Sequence, residues 1–485
     1  MPHLASNAIH DSTERRDQQL ASLCAEHTRV RILDHIRQWA RGDTGPPICW
    51  LSGYAGTGKS TIADTIATER SSWIPLTFFF SRGKDDRDSL KKLVPTLAYQ
   101  LAQSIPSLSP FIEECFTQDP LIMDRALGHQ LRKLIFDPIA NLSEPHLRIL
   151  IIIDGMDECR DPQEQVTLIR QLSENTSSEQ QQLCLLLTSR PEDQIDKVFK
   201  LSTVCSKFYP LRLQDYEDHR EIRHVLVNGF EEIRSQHNDI LPKLPYSWPS
   251  RGEIDRAVSQ SQAVFIYVST LLKFVGADDD YSPQEKLQKA LNAHAGLDAI
   301  YDQVLSAAKG KDSKTVLATI ILLQRPLSIT ALGKLMGWQS TNIRIALRGY
   351  KSILTFSGSD DNKPVFPFHA SLGDFLVDQK RSEAHFIHDT TKYQRDILFG
   401  CIWEMNSLTS TTIQTISDPL SYACRYWAHH MGQLDVLTVR DMKAVLNEFM
   451  GKLIQEWIVF WLVGLEEQEI TCQEIKGYLY SFKEV

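Results

Sequence analysis

Residues 48–61 read Ile48-Cys49-Trp50-Leu51-Ser52-Gly53-Tyr54-Ala55-Gly56-Thr57-Gly58-Lys59-Ser60-Thr61. An apolar run of strand length passes into a glycine-rich loop, and the loop into a helix pattern that ends near Glu69. Gly53 to Ser60 fill every fixed position of GxxxxGK[ST]. The glycines let the backbone turn tightly and aim its N–H groups inward at phosphate oxygens. The helix opening at Lys59 adds the positive end of its dipole. In this pattern Lys59 reaches the β- and γ-phosphates and Ser60 offers a hydroxyl oxygen to Mg²⁺. Thr61 extends the same surface. Gly53, Tyr54, Ala55, Gly56, Thr57, Gly58, Lys59, Ser60 and Thr61 are therefore the candidate nucleotide-binding residues. A chance match in a chain of this length is on the order of one in a hundred, and the strand–loop–helix context lowers it further.

Working outward, three more runs have strand character: Leu76 to Ser81, Leu147 to Asp154, and Leu183 to Ser189. Helix patterns at Thr61 to Glu69 and Leu90 to Ser104 alternate with them, which predicts a parallel α/β sheet. Leu147 to Asp154 is apolar enough to be covered on both faces. It ends in Asp154-Gly155-Met156-Asp157-Glu158, at the strand end where open α/β sheets bind ligands. Asp154 is placed to hold Mg²⁺ directly or through water, and Gly155 leaves room beside it. Asp157 or Glu158 could orient an attacking water. Thr188-Ser189-Arg190-Pro191 ends another strand, and Arg190 could sense a γ-phosphate or stand on the surface before a proline-stopped loop.

Beyond Leu211 the strand pattern stops. Helices are predicted over 216–235, 253–275 and 283–308, and, after a polar break at Gly310 to Ser313, over 314–323, 328–337 and 341–354. Two β-like runs, 353–357 and 364–369, flank a turn. Helix, helix, helix, hairpin is the order of a winged-helix unit. From Tyr393 onward the chain reads as helical. No repeat of 20–50 residues occurs. The predicted organisation is a frayed, disordered N-terminus over 1–20, a linker helix over 21–45 and a nucleotide-binding domain over 46–210. A helical domain (211–310), a winged-helix domain (311–385) and a C-terminal helical region (386–485) follow.

The chain has 485 residues, with 52 basic and 61 acidic side chains and a net charge of −9. A global electrostatic footprint for nucleic acid is absent. The candidate recognition helix Thr341 to Leu354 carries only Arg344, Arg348 and Lys351, so nucleic acid is not an expected partner. Nine scattered cysteines show no CxxC pair and no Cys/His zinc spacing. With no apolar export segment at the start, a reducing, cytoplasmic setting is expected. The longest apolar run, Trp457 to Leu465, falls well short of the roughly 20 residues a spanning helix needs, so no membrane partner is expected.

Taken together, ICWLSGYAGTGKSTIADTIA, LRILIIIDGMDEC and LLLTSRPE resemble the NACHT branch of the STAND nucleotide-binding ATPases, and the wording is closest to the NLR-like NACHT sets of mushroom-forming fungi. AVFIYVSTLLKF resembles a helix of that family's helical region, with Ala263 where a Gly is usual. PLSITALGKLMGW and VFPFHASLGDFLVDQKRS resemble its winged-helix segment. PLSYACRYWAHHM and WIVFWLVGL resemble the helices that follow. The resemblance covers residues 28–465. It implies an ATP/ADP switch with Mg²⁺, weak and slow ATP hydrolysis, and opening with homo-oligomerisation on activation. It further implies an effector protein partner in signalling or fungal innate immunity and incompatibility. His369, in Phe366-Pro367-Phe368-His369, matches a winged-helix histidine that contacts the β-phosphate of ADP in the closed form. Family members usually carry an N-terminal effector domain and C-terminal repeats, and the sequence displays neither. Two other readings stay open: a P-loop kinase for a small substrate, though no Arg-rich lid is evident, and a helical scaffold with a dead site, against which the intact Lys59, Ser60, Asp154 and Glu158 argue.

Overall fold

The apolar runs marked as strands all enter one sheet. It comprises β1 (Ile48–Ser52), β2 (Ile74–Phe79), β3 (Ile149–Asp154), β4 (Leu183–Ser189) and β5 (Phe208–Arg212), all parallel, in the order β2-β3-β4-β1-β5. Every residue of β1, β3 and β4 is buried, as expected of strands covered on both faces. One face packs Ile48, Trp50, Leu76, Ile151, Ile153 and Leu187 against a helical layer that includes α3 and α4. The other packs Cys49, Leu51, Leu150, Ile152 and Leu186 against α1 and α2. These helices are α1 (Val30–Ala40), α2 (Lys59–Thr68), α3 (Leu93–Ser104) and α4 (Pro162–Asn175). The fold is that of a P-loop NTPase α/β domain followed by helical domains.

The computed structural model describes residues 4–452 except 14, 16–22, 43–44, 55, 70–72, 83, 85, 143, 145, 177–181, 238–247, 278–280, 293–295, 309, 311, 358, 370, 388–389 and 407–416. Ala55, the run 457–465 and the end of the expected C-terminal region lie outside the described residues. The chain divides into two compact units, Met1–Leu272 with His294–Gly296, and Lys273–Ala293 with Leu297–Val485.

Register fixes the functional rim. Ser52 pairs with Ser189 and Ile153 with Leu187, so β1, β4 and β3 end side by side. The phosphate-loop strand and the acidic strand are not neighbours, because β4 lies between them. β5 has no counterpart in the sequence reading. Its Tyr209-Pro210 lacks the signature of a central strand, and proline is tolerated at a sheet edge, where β5 stands.

Within the segment expected to be frayed, the described residues 4–13 and 15 are packed and hydrogen-bonded instead. Ala5 and Ala8 are fully buried. The Ala5 N–H donates to Thr96 Oγ1 at 2.9 Å and the His10 N–H to Thr77 Oγ1 at 3.0 Å. Arg15 binds both oxygens of Asp64 on α2, at 3.0 and 2.8 Å, and stacks 3.6 Å from the Phe79 ring centroid. The segment reads as polar, but its polar groups find buried partners, and its alanines are small enough to pack beside the edge strand β2. Edge strands are commonly protected by such a cover.

Two long helices predicted from periodicity are each broken. α5 (His219–Gln236) is followed by α6 (Arg251–Gln260) and α7 (Phe265–Gly276). Gln262 and Ala263, between the last two, take φ of 47° and 59°. That left-handed backbone ends a helix and favours glycine. The stretch expected as 283–308 is likewise α8 (Pro283–Asn292) and α9 (Leu297–Ala307), with Gly296 at φ 103°.

In the second unit, α10 (Ser313–Leu322), α11 (Ile329–Met336) and α12 (Ser340–Leu347) precede a hairpin. Its strands β7 (Leu354–Thr355) and β8 (Pro364–Pro367) pair antiparallel, and β8 also pairs with β6 (Leu327–Ser328). The helix-then-hairpin order follows the sequence reading, with β6 added. α13 (Thr390–Asn406) packs on α14 (Asp418–Gly432). Between them His430 is fully buried, with Nδ1 2.5 Å from Gln394 Oε1 and Nε2 2.7 Å from Tyr422 Oη. Burial drives its pKa down to about 3. Among the described residues no helix is long and apolar enough to cross a membrane.

Candidate functional site

The loop after β1 turns where its glycines allow. Gly56 and Gly58 sit at φ 75° and 89°, conformations that cost a residue with a Cβ about 1–2 kcal/mol. The Gly53 N–H donates to Ser189 O at 3.2 Å, tying the loop to β4. Thr57 Oγ1 donates to Tyr54 O at 2.8 Å. Lys59 Nζ donates to Gly53 O at 2.8 Å and to Tyr54 O at 3.0 Å, so its ammonium lies over the loop it serves. Burial lowers the Lys59 pKa, while Asp157 and Asp154 act to raise it. Tyr54 and Ser60 are exposed, and Thr61 is half-buried in the first turn of α2.

The acids lie across the same rim. Asp154, buried, accepts from Thr188 Oγ1 at 2.6 Å and is hydrogen-bonded by Ser60. Burial raises its pKa and these two hydroxyls oppose the rise. Thr188 in turn accepts from the Gly155 N–H at 3.0 Å. Asp157 is turned inward. Its Oδ1 accepts the Arg190 N–H at 2.9 Å and its Oδ2 lies 3.2 Å from Arg190 Nε. Glu158 accepts the Arg82 N–H at 3.1 Å. Burial, then the charge of Asp157, pushes its pKa up to about 7. Asp157 and Glu158, adjacent in sequence, thus have opposite situations: one is committed to an ion pair, the other is a weakly held carboxyl poised at neutrality.

The donor set fits a nucleotide with Mg²⁺. The Ser60 hydroxyl and the Asp154 carboxyl meet beside the Lys59 ammonium. Among the described residues no cluster of three or more His, Cys, Asp or Glu could hold a metal alone. A cation here would need phosphate oxygens and water to complete its shell, as Mg²⁺ commonly does.

Four contributors escaped the sequence reading. Thr188 bridges β4 to Asp154. Arg82, after β2, donates its Nη2 to Asp157 O at 3.2 Å. The Ile266 N–H donates to Gly56 O at 3.1 Å, and its side chain stands 2.0 Å from where a Cβ on Gly56 would be. Arg29 is 5% exposed and donates Nη2 to Thr57 O at 2.5 Å. None of the four carried a local signal of its own; the nearest hint was Ala263, just before Phe265 and Ile266. It stands where the resemblance puts a Gly, and its φ is positive.

His369 lies in the second unit. Its Nδ1 accepts the Ser371 N–H at 3.1 Å and is 2.7 Å from Ser371 Oγ, which is 2.9 Å from Tyr301 Oη.

A strand–loop–helix phosphate cradle facing an acidic strand end defines a P-loop NTPase site. The family model described as nephrocystin 3, N-terminal, matches residues 27–190. No curated protein matches the chain in sequence. Among solved structures, the chain is similar to a Signal Transduction ATPase with Numerous Domains (STAND) protein with a tetratricopeptide repeat sensor from Pyrococcus horikoshii. The identity is 12% and the TM-score 0.46, over 92% of this chain and 53% of that one. This chain therefore spans about half the length of that protein. It is also similar to Cdc6p from Pyrobaculum aerophilum, at 12% identity and TM-score 0.34, over 74% and 97% of the two chains. The ORC1 protein of Aeropyrum pernix, at 14% identity and TM-score 0.32 over 80% and 96%, is in complex with DNA. The expectation that excludes nucleic acid gains no support from that comparison.

Proposed function

We propose that the chain is an ATP/ADP-binding molecular switch of the STAND type, with slow ATP hydrolysis coupled to opening and self-association. The observation that carries this reading is the convergence of Lys59, Ser60, Asp154 and Glu158 at the carboxyl ends of β1 and β3. Loop N–H groups and the α2 N-terminus bind the phosphates. Lys59 exchanges its two loop carbonyls for the β- and γ-phosphate oxygens. Ser60 and Asp154 are the residues that would hold Mg²⁺, which supplies charge neutralisation at the phosphates. Glu158 takes a proton from the attacking water, a role its pKa near 7 suits. Asp157 holds Arg190 at the rim, where the guanidinium can sense the γ-phosphate.

On this reading residues 46–210 are the nucleotide-binding domain, 211–310 the helical domain, 311–385 the winged helix and 386–485 the C-terminal helical region. His369 locks the ADP state by donating to the β-phosphate. An effector partner and a role in signalling or fungal innate immunity complete the proposal. The kinase reading is less favoured, since Glu158 is a base suited to water. The test is the nucleotide content of purified protein, followed by sizing in ADP and in ATP. Bound ADP and a larger species in ATP are expected. Protein that holds neither nucleotide overturns the reading.

A further inference from the structure

Glu221 lies in the first turn of α5. The residue is half-buried, but its Oε2 is fully buried and has no hydrogen-bond partner. Among the described residues no other carboxylate oxygen is in that condition. An unpaired buried acceptor is expensive, more so when charged, and such exceptions in a folded protein call for an explanation.

Its surroundings supply one. The charge of Glu221 is the foremost electrostatic influence on Arg29. The Arg29 guanidinium grips the phosphate loop at Thr57 O and lies 4.3 Å from the Phe265 ring centroid. Backbone strain is concentrated here as well. His27 and Arg29 take φ of 63° and 56° on either side of buried Thr28, and strain of this kind gathers at ligand clamps. The wall continues along α2, where the Cys24 N–H donates to Thr65 Oγ1 at 2.9 Å.

Direction follows from the rim. Asp154 and Glu158 mark the γ-phosphate end, and Lys59 the middle. The nucleoside must leave over the opposite side of the loop, across Gly56 to Gly58 and the start of α2. Arg29, Phe265 and Ile266 close that side. We propose that Arg29, Phe265 and Glu221 form the base end of the nucleotide site, and that the Glu221 carboxylate is the specificity-determining acceptor for the 6-amino group of adenine. This rests on the reading of the phosphate loop as a nucleotide site. An ionised carboxylate only accepts hydrogen bonds. Adenine offers an N–H donor at that position, whereas guanine and hypoxanthine offer a carbonyl oxygen. The oxygen would face the carboxylate and leave it unpaired, which is how sites built around one hydrogen bond reject analogues.

The experiment uses the full chain stripped of nucleotide, with ribose-labelled fluorescent ATP displaced by ATP, ITP or GTP. ITP differs from ATP in carrying an oxygen in place of the 6-amino group and a hydrogen on N1. ITP and GTP are expected to compete about ten- to a hundredfold more weakly than ATP. In Glu221→Gln the amide can also donate to a 6-oxygen, so the ATP/ITP ratio should fall by about tenfold or more. Wild-type protein that binds ITP as tightly as ATP overturns the inference and leaves the phosphate site standing. So does a ratio unmoved by Glu221→Gln. Wild-type protein that binds no ATP overturns both. If Glu221→Gln does not fold, the wild-type ATP/ITP ratio decides alone.

Discussion

Replacing Glu158 by Gln isolates the proton-accepting role from everything else the side chain does. The amide oxygen can keep the 3.1 Å bond from the Arg82 N–H, and shape and ATP binding are retained. What is lost is a base whose pKa sits at about 7. General-base catalysis typically contributes 10²–10⁴-fold, so hydrolysis should slow by about that factor, roughly 3–5 kcal/mol on the barrier. The pH dependence is a second signature. Wild-type turnover should rise about tenfold per unit below pH 7 and level off above it, while the Gln variant stays flat. Stability runs the other way. Unfolded, Glu158 ionises near its ordinary 4.5, while folded it keeps its proton to about 7. The folded state therefore loses stability as pH rises from 4.5 to 7 and carries the deficit above 7. The nucleotide-free Gln variant should be the more stable protein at pH 8, by at most about 3 kcal/mol. Phosphate release at saturating ATP, ATP titration and urea unfolding measure the three effects. Wild-type turnover with an unaltered pH profile in Glu158→Gln would refute the assignment, and an ATP-trapping Asp157→Asn would transfer it to the neighbouring acid.

Lys59→Ala should weaken nucleotide binding about ten- to a hundredfold, since a charge-assisted phosphate contact contributes about 1.5–3 kcal/mol; fluorescent-nucleotide titration with Mg²⁺ checks this, and an unchanged Kd would sink the phosphate-loop reading. His369→Ala and His369→Leu should both speed ADP release and raise the self-associating fraction while sparing ATP affinity, whereas equal loss of melting temperature with and without ADP, at an unaltered off-rate, would make His369 a packing residue. Ala263→Gly should stabilise the chain by about 1 kcal/mol, because Ala263 holds φ 59°, a left-handed conformation that costs a Cβ-bearing residue about that much; a lowered urea midpoint contradicts it. His430 is expected to make the protein acid-labile: unfolded it protonates near 6.5 and folded only near 3, so stability falls by about 1.4 kcal/mol per unit as pH drops below 6.5, and His430→Gln should remove that slope.

What could be read from the sequence was chemistry carried by neighbours in the chain. Glycine spacing, an apolar strand before it and Lys-Ser after it place the phosphate loop without any tertiary information, and strands as apolar as β3 and β4 leave no other place than a doubly covered sheet. What could not be read was partnership across long separations. The N-terminal segment is polar by composition, yet Arg15 finds Asp64 and His10 finds Thr77. β5 is an edge strand and lacks the apolar signature of the centre. The break before α7 falls at Gln262 and Ala263, where the only hint is the glycine that the resemblance puts at 263. Asp157 and Glu158 illustrate the limit within the site itself. Nothing local distinguishes two consecutive acids, but the single 3-10 turn over Met156–Glu158 sends one toward Arg190 and the other toward Arg82. The strand inserted between β1 and β3 is the physical reason. It brings Thr188 and Arg190 to the rim, so the first acid of the pattern is held by a hydroxyl and the second by a guanidinium. The third, Glu158, has one backbone N–H among the described residues and a pKa near 7. A pattern of Asp, Asp and Glu becomes a division of labour only when β4 stands between the loop and the acids.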